Sequence, residues 1–352
     1  MKVYIFIYFF ILMNSFIFFI SSIKNSKIEK NVFRLTLTGL ILFSGTRYFT
    51  GVDYESYLKI FQEVDFSLNI NEVEKLFLLI AYFLREFVKL TPYNTFLFFE
   101  IISGVLLYKL IDKNLNKNLL FALYIWYSLY FLRLNMGQFR FGISVLICLN
   151  IISYLYNNAY KKFSLGVIIS FFVHKTSIIY FLSLLIKRKI FSNKNLLFFP
   201  LIGLSIGKTL INKESLLIIA NTVGSNKLHS MVYGKYINNV GFSFYQLYII
   251  LVSTLLCCYK TKNSRIILLK KIFSLGVGMY FLFINLAIFS DRLSLIFISV
   301  QTILFPMIIN NFNKKINKIS IFIFVIIICS YIFFSTIVNS PEYIPYKSWL
   351  FL

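Results

Sequence analysis

Apolar runs approaching twenty residues recur along the whole chain, broken by short clusters rich in lysine and asparagine. A helix needs about 20 predominantly apolar residues to cross a bilayer, so each such run predicts a spanning helix. The first, "VYIFIYFFILMNSFIFFISSI" from residue 3, is too long for the core of a signal peptide and lacks a small-residue cleavage site, so it counts as a span. A second runs to about Tyr48, and others are predicted near 195–211, 242–259, 272–290, 293–310 and 319–338. Between residues 76 and 186 two arrangements fit. In one, 76–90 lies at the interface or re-enters, and 163–186 forms a broken hairpin with His174 near its bend; in the other, each segment crosses once. "LFLLIAYFL" is short for a crossing, and a lysine such as Lys175 at mid-span costs about 2.5–3.5 kcal/mol, which favours the first. The expected fold is all-α: a polytopic integral membrane protein with about ten transmembrane helices plus a broken or re-entrant helical hairpin. No internal repeat, low-complexity tract or separate soluble module interrupts it, so residues 1–352 read as a single transmembrane domain.

Charge adds an orientation. The 352 residues are 59% hydrophobic and only 14% charged, against about 25% in soluble domains. In a soluble protein a net charge of +23 would point to nucleic acid. Here the lysines and arginines gather in short loops, as the positive-inside rule requires of cytoplasmic ones. Those loops are 24–34, 187–194, 260–265 with Lys270 and Lys271, and 313–318. Six of the thirteen acids fall between Asp53 and Glu74, so that stretch is expected outside. The outer face then holds segments 47–75, 212–241 and 339–352 and a turn at Asp291-Arg292. The favoured arrangement of the middle puts Lys109, Lys113, Lys117, Lys161 and Lys162 inside; its rival puts Arg85, Lys89, Arg133 and Arg140 there. Cys148, Cys257, Cys258 and Cys329 lie in or beside apolar runs without metal-ligand spacing and read as packing residues.

Neither a nucleotide-binding glycine loop, nor HExxH, nor a serine-nucleophile elbow is present. Chemistry must come from polar groups gathered by folding. The expected outer face collects Arg47, Asp53, Gln138, Arg140, His174, Asp291, Arg292, Glu342, Tyr343 and Tyr346. Arginine suits diphosphate, because its planar guanidinium stays charged and offers paired donors. Glycosyl transfer from a diphosphate also needs a base at the acceptor hydroxyl; Asp53, Glu55, His174 and Asp291 are available. Tyr54, Tyr57 and Tyr346 offer faces and hydroxyls suited to sugar rings. Structural readings stand beside these. Arg47 and its tyrosines could be interfacial anchors, His174 a partner for backbone freed by a helix break, and Asp291-Arg292 a self-paired turn. Glu100 should face the interior with a partner such as Arg85, and His229 reads as solvent-exposed.

In this order the residues resemble the EpsG-like and Wzy-type family of bacterial polysaccharide polymerases. The likeness rests on Arg47, "GVDYESY" (51–57), "GQFRFGIS" (137–144), "FFVHKTSII" (171–179), "SDRLSLIF" (290–297) and the tyrosine-bearing tail. One departure is visible: the family usually has Gln directly after Arg, whereas here Gln138 precedes Arg140. The resemblance implies a multi-pass enzyme of the bacterial cytoplasmic membrane that joins undecaprenyl-diphosphate-linked oligosaccharide repeat units at the outer face, making O-antigen, capsule or exopolysaccharide. It implies no metal, nucleotide or other cofactor and no nucleic acid. Its partners would be the lipid-linked oligosaccharide, membrane lipid, and a chain-length regulator and flippase of the same pathway. Arg47, Arg140 and Arg292 would bind diphosphate, Asp53 or His174 would activate the acceptor, and Tyr54, Tyr57 and Tyr346 would contact sugars. A lipid-linked oligosaccharide flippase and an O-antigen ligase are the alternatives.

Overall fold

Inside a bilayer no water is available to bond exposed amides, and helices satisfy them within one segment. The computed structural model describes residues 1–20, 26–68, 70, 73–187, 196–209, 214, 215, 217, 221 and 243–351, and among them there are helices and no β-strand. Glu72, His229, most of the 187–194 loop and nearly all of the 212–241 segment lie outside the described residues. Among those described, six helices are long and apolar enough to cross a membrane, and three shorter apolar helices accompany them. The chain divides into two compact units, residues 1–154, 159–178 and 302–352, and residues 155–158 and 179–301.

The first unit contains α1 (Lys2–Ile20), α2 (Ser26–Gly45), α3 (Tyr54–Glu63), α4 (Lys75–Glu86), α5 (Pro92–Asn114) and α6 (Leu119–Trp126). α6 continues as a π-helix (Tyr127–Gly137), followed by α7 (Phe139–Tyr156) and α8 (Tyr160–Val173). α2 is about 30 Å long at 1.5 Å per residue, but with Lys27, Glu29, Lys30 and Arg34 in its first half it is not one of the six long apolar helices. Its first half lies at a basic end: Lys30 pairs with Asp112 at 2.6 Å, Arg34 donates to the Tyr108 hydroxyl at 3.0 Å, and Glu29 accepts from the Leu119 amide at 2.6 Å. Lys109, Lys113 and Lys117 share α5 and its C-terminal loop with these partners, as the favoured arrangement of the middle requires. At the opposite end Arg85 donates to the carbonyls of Gln62 (2.5 Å) and Val64 (2.9 Å), which ties the short helix α4 to α3. α7 and α8 run antiparallel, since Ser170 Oγ donates to the Ser144 carbonyl at 3.0 Å and Gly166 lies against Ile151.

α8 stops at His174, whose backbone is extended (φ −154°, ψ 120°), and a 3-10 helix (Lys175–Lys187) follows. The break falls where the sequence predicts one. In the second unit, α9 (Phe198–Thr209), α10 (Phe244–Cys258), α11 (Ser264–Leu282) and α12 (Ala287–Ile298) follow. α9 and α11 pack closely because Gly203 and Gly207 of α9 face the carbonyls of Gly278 and Phe281 with no room for a side chain, the small-residue device of membrane helices. α13 (Gln301–Asn311), after its first residue, and α14 (Lys315–Asn339) return to the first unit.

Two sequence expectations change here. Lys270 and Lys271 belong to α11 and not to the preceding loop; Lys270 is buried, its ammonium donating to the Tyr259 carbonyl at 2.6 Å, so the buried lysine has a hydrogen-bond acceptor. Asp291 and Arg292 lie within α12 and form no turn; the chain turns earlier, at 283–286, where the Leu286 amide bonds the Phe283 carbonyl.

Candidate functional site

Beyond α2 the chain runs extended through Arg47 and meets the segment after α14. The amides of Tyr48 and Trp349 bond the carbonyls of Lys347 and Thr46 at 2.9 and 3.0 Å, making an antiparallel bridge between Arg47 and Ser348. The Gly51 amide bonds the Glu342 carbonyl at 3.0 Å. Gly51 has φ +110°, and a Cβ there would sit 2.1 Å from the Met136 carbonyl oxygen. Only glycine adopts that conformation at low cost, so the first residue of "GVDYESY" is required by this junction.

Arg47 itself is fully buried. One terminal nitrogen donates to the Ser44 carbonyl at 2.6 Å and reaches Glu100 at 3.4 Å, long for a strong hydrogen bond but within ion-pair range. The guanidinium lies over Phe96 (5.1 Å) and Phe139 (6.0 Å). Its Nε and Nη2 donate to no protein group. Glu100, also buried, accepts on its other oxygen from Ser44 Oγ (2.9 Å) and Asn135 Nδ2 (3.0 Å), and Asn135 accepts from the Trp126 indole at 2.9 Å. Arg47, not Arg85, is therefore the partner of Glu100; Arg85 pairs with Glu86 at 3.3 Å. Asn135 reaches this network from the π-helix, a form often found at functional sites.

Arg140 opens α7, and the antiparallel register of α7 and α8 brings His174 beside it: the His174 and Phe141 rings are 5.0 Å apart. Arg140 Nη1 donates to Glu74 at 2.6 Å, and the guanidinium lies over Tyr57 (5.5 Å) and Phe77 (5.2 Å). The other Glu74 oxygen accepts from the Lys175 amide at 3.0 Å. His174 Nδ1 is hydrogen-bonded to Thr176 Oγ1 at 2.7 Å, and its imidazole is half-buried.

Aromatic rings separate the two arginines. Tyr57 lies 4.0 Å from Phe139, and Tyr54 stacks on Phe96 at 4.6 Å; both tyrosines are buried in this core. Burial pushes the Tyr57 phenol above its ordinary range, with the Arg140 charge opposing. Half-buried Asp53 precedes α3 within electrostatic reach of Tyr57 and Tyr343. Tyr343 is buried against Gly137, its phenol raised by burial and by Glu342, and lowered by Arg133 and Arg47. Tyr346 stacks on Phe43 at 4.2 Å, and its hydroxyl donates to the Phe43 carbonyl at 2.8 Å.

The first unit thus gathers Arg47, Asp53, Tyr54, Tyr57, Arg140, His174 and Tyr346 at one end, while Arg292 is half-buried on α12 in the second unit. Sequence reasoning did not single out Glu74 or Arg133. Glu74 was one acid among six in its stretch, and neither local pattern nor spacing reveals a contact with Arg140. Chemically, this end offers guanidinium charge, an imidazole and a carboxylate beside a half-buried surface. The family model described as EpsG family matches residues 30–348. No curated protein and no solved structure matches the chain.

Proposed function

The chain belongs to the EpsG family, the family of Wzy-type polysaccharide polymerases, and from that premise we propose that it polymerises undecaprenyl-diphosphate-linked oligosaccharide repeat units at the outer face of the bacterial cytoplasmic membrane. The acceptor hydroxyl oxygen attacks the anomeric carbon of the growing glycan. The bond from that carbon to the diphosphate oxygen breaks, undecaprenyl diphosphate leaves with the electron pair, and the hydroxyl proton passes to a base. His174 or Asp53 takes that proton. Arg140 neutralises the departing diphosphate, with Arg47 beneath the aromatic layer as a further cation. A chain-length regulator and a flippase of the same pathway are the proposed protein partners.

The observation that carries this reading is the gathering of Arg140, His174, Asp53 and Arg47 at one end of the first unit. In the sequence of its helices, Glu100 is the lone charge within 35–46, 92–107, 119–132, 141–156, 163–173 and 319–339. A flippase would need charged groups at successive depths along a path, and within the first unit this distribution favours a single-face site. Reconstitution with lipid-linked repeat units tests it: the wild type should release undecaprenyl diphosphate and lengthen the glycan, and Arg140→Ala should lose both. Full elongation by Arg140→Ala would sink the assignment.

A further inference from the structure

We propose that Glu74 is a positioning residue of the transfer reaction, a single carboxylate that sets Arg140 and the His174 break in fixed relation. The inference rests on the polymerase reading above. Glu74 stands at the N-cap position of α4, yet its side chain caps nothing there. Glutamate is also not among the side chains favoured at that position. Its carboxylate turns away from its own helix and spans two others. One oxygen takes Arg140 Nη1 at 2.6 Å, and the second takes the Lys175 amide at 3.0 Å.

That amide is one of the orphan donors at the start of the 3-10 helix, which a new helix must satisfy from outside itself. Its partner comes from a residue 101 positions earlier in the chain. The Arg140 and Glu74 side chains are only 16% and 7% exposed, so the pair works where solvent screens little. With each oxygen engaged by a fixed donor, Glu74 suits holding better than proton shuttling. The guanidinium is further framed by Tyr57 and Phe77, so loss of the carboxylate frees it to swing but leaves it in the same pocket. A displaced guanidinium still attracts the ground-state diphosphate. It no longer meets the charge that builds on the leaving oxygen, and misplacement of about 1 Å can cost on the order of 100-fold in rate.

The test uses full-length protein in proteoliposomes with a synthetic polyprenyl-diphosphate-linked repeat unit, comparing wild type, Glu74→Gln, Arg140→Lys and the double variant. Glu74→Gln should lower kcat on the order of 100-fold with KM for the lipid-linked unit changed only a few-fold. In the Arg140→Lys background the same change should cost far less, because the residue it acts through is already altered. Glu74→Asp, which keeps the charge on a shorter arm, should fall between wild type and Glu74→Gln, and serves where Glu74→Gln fails to fold. With an active wild type, additive losses in the double variant, a change confined to KM, or a Glu74→Asp variant no better than Glu74→Gln would overturn the inference alone. An inactive wild type would instead bring down the polymerase reading and this inference with it.

Discussion

Arg47 and Glu100 form an ion pair that is closed to solvent on both sides, and Glu100 is simultaneously the acceptor for Ser44 and Asn135. Removing one partner of a buried pair leaves an uncompensated charge and costs about 3–5 kcal/mol. Glu100→Ala should therefore lower the thermal midpoint of the purified protein markedly. Arg47→Met combined with Glu100→Gln should recover much of that loss. A midpoint in Glu100→Ala equal to wild type would mean that the pair holds nothing in place.

Gly51 and Gly39 make a contrasting pair. An alanine at Gly51 would need both a φ of +110° and 2.1 Å of separation from the Met136 oxygen, whereas nothing lies within 4 Å of a Cβ at Gly39. Gly51→Ala should reduce folded yield and separate the 46–51 segment from the π-helix. Gly39→Ala should be neutral or stabilising by up to about 1 kcal/mol, since alanine favours a helix interior over glycine. Yield and thermal midpoint measured side by side decide it.

Tyr346 spends its hydroxyl on the Phe43 carbonyl and its ring face on the Phe43 ring. Tyr346→Phe should then cost about 1 kcal/mol of stability and leave KM for the lipid-linked substrate unchanged. A several-fold rise in KM without loss of stability would give Tyr346 a sugar-binding role instead.

Burial raises the phenols of Tyr57 and Tyr343 above the ordinary value. In the unfolded chain a tyrosine ionises near pH 10, so the folded state binds these protons more tightly than the unfolded one. The contribution of the two phenols to stability should be constant below about pH 10 and be lost as pH rises from there through the higher folded-state values. Tyr57→Phe should shallow that alkaline fall, as followed by thermal midpoints from pH 8 upward.

The helical class and the site of the His174 break were legible because both follow from local chemistry: apolar length predicts a span, and a polar His-Lys pair amid apolar residues predicts an interruption. Gly51 was visible as part of a motif, but its physical duty depends on the π-helix carbonyl it approaches. Pairing was the part hidden from view. Arg47 meets Glu100 across 53 positions and Arg140 meets Glu74 across 66, distances set by how helices pack and not by any periodicity. Lys270 misled for a related reason: charge density marks it as loop, yet Asn263 caps the Arg265 and Ile266 amides and starts the helix ahead of it.

The strap formed by residues 342–349 also imposes an order of assembly. Ser348 bonds Thr46 across 302 positions. At about 5–20 residues per second, the ribosome needs roughly 15–60 s between making the two. During that interval the loop holding Arg47 and Gly51 lacks the backbone partners it has in the finished protein. The first functional segment to be synthesised is thus among the last to be completed, and a stalled or truncated translation product would carry its signature residues without the bridge that holds them.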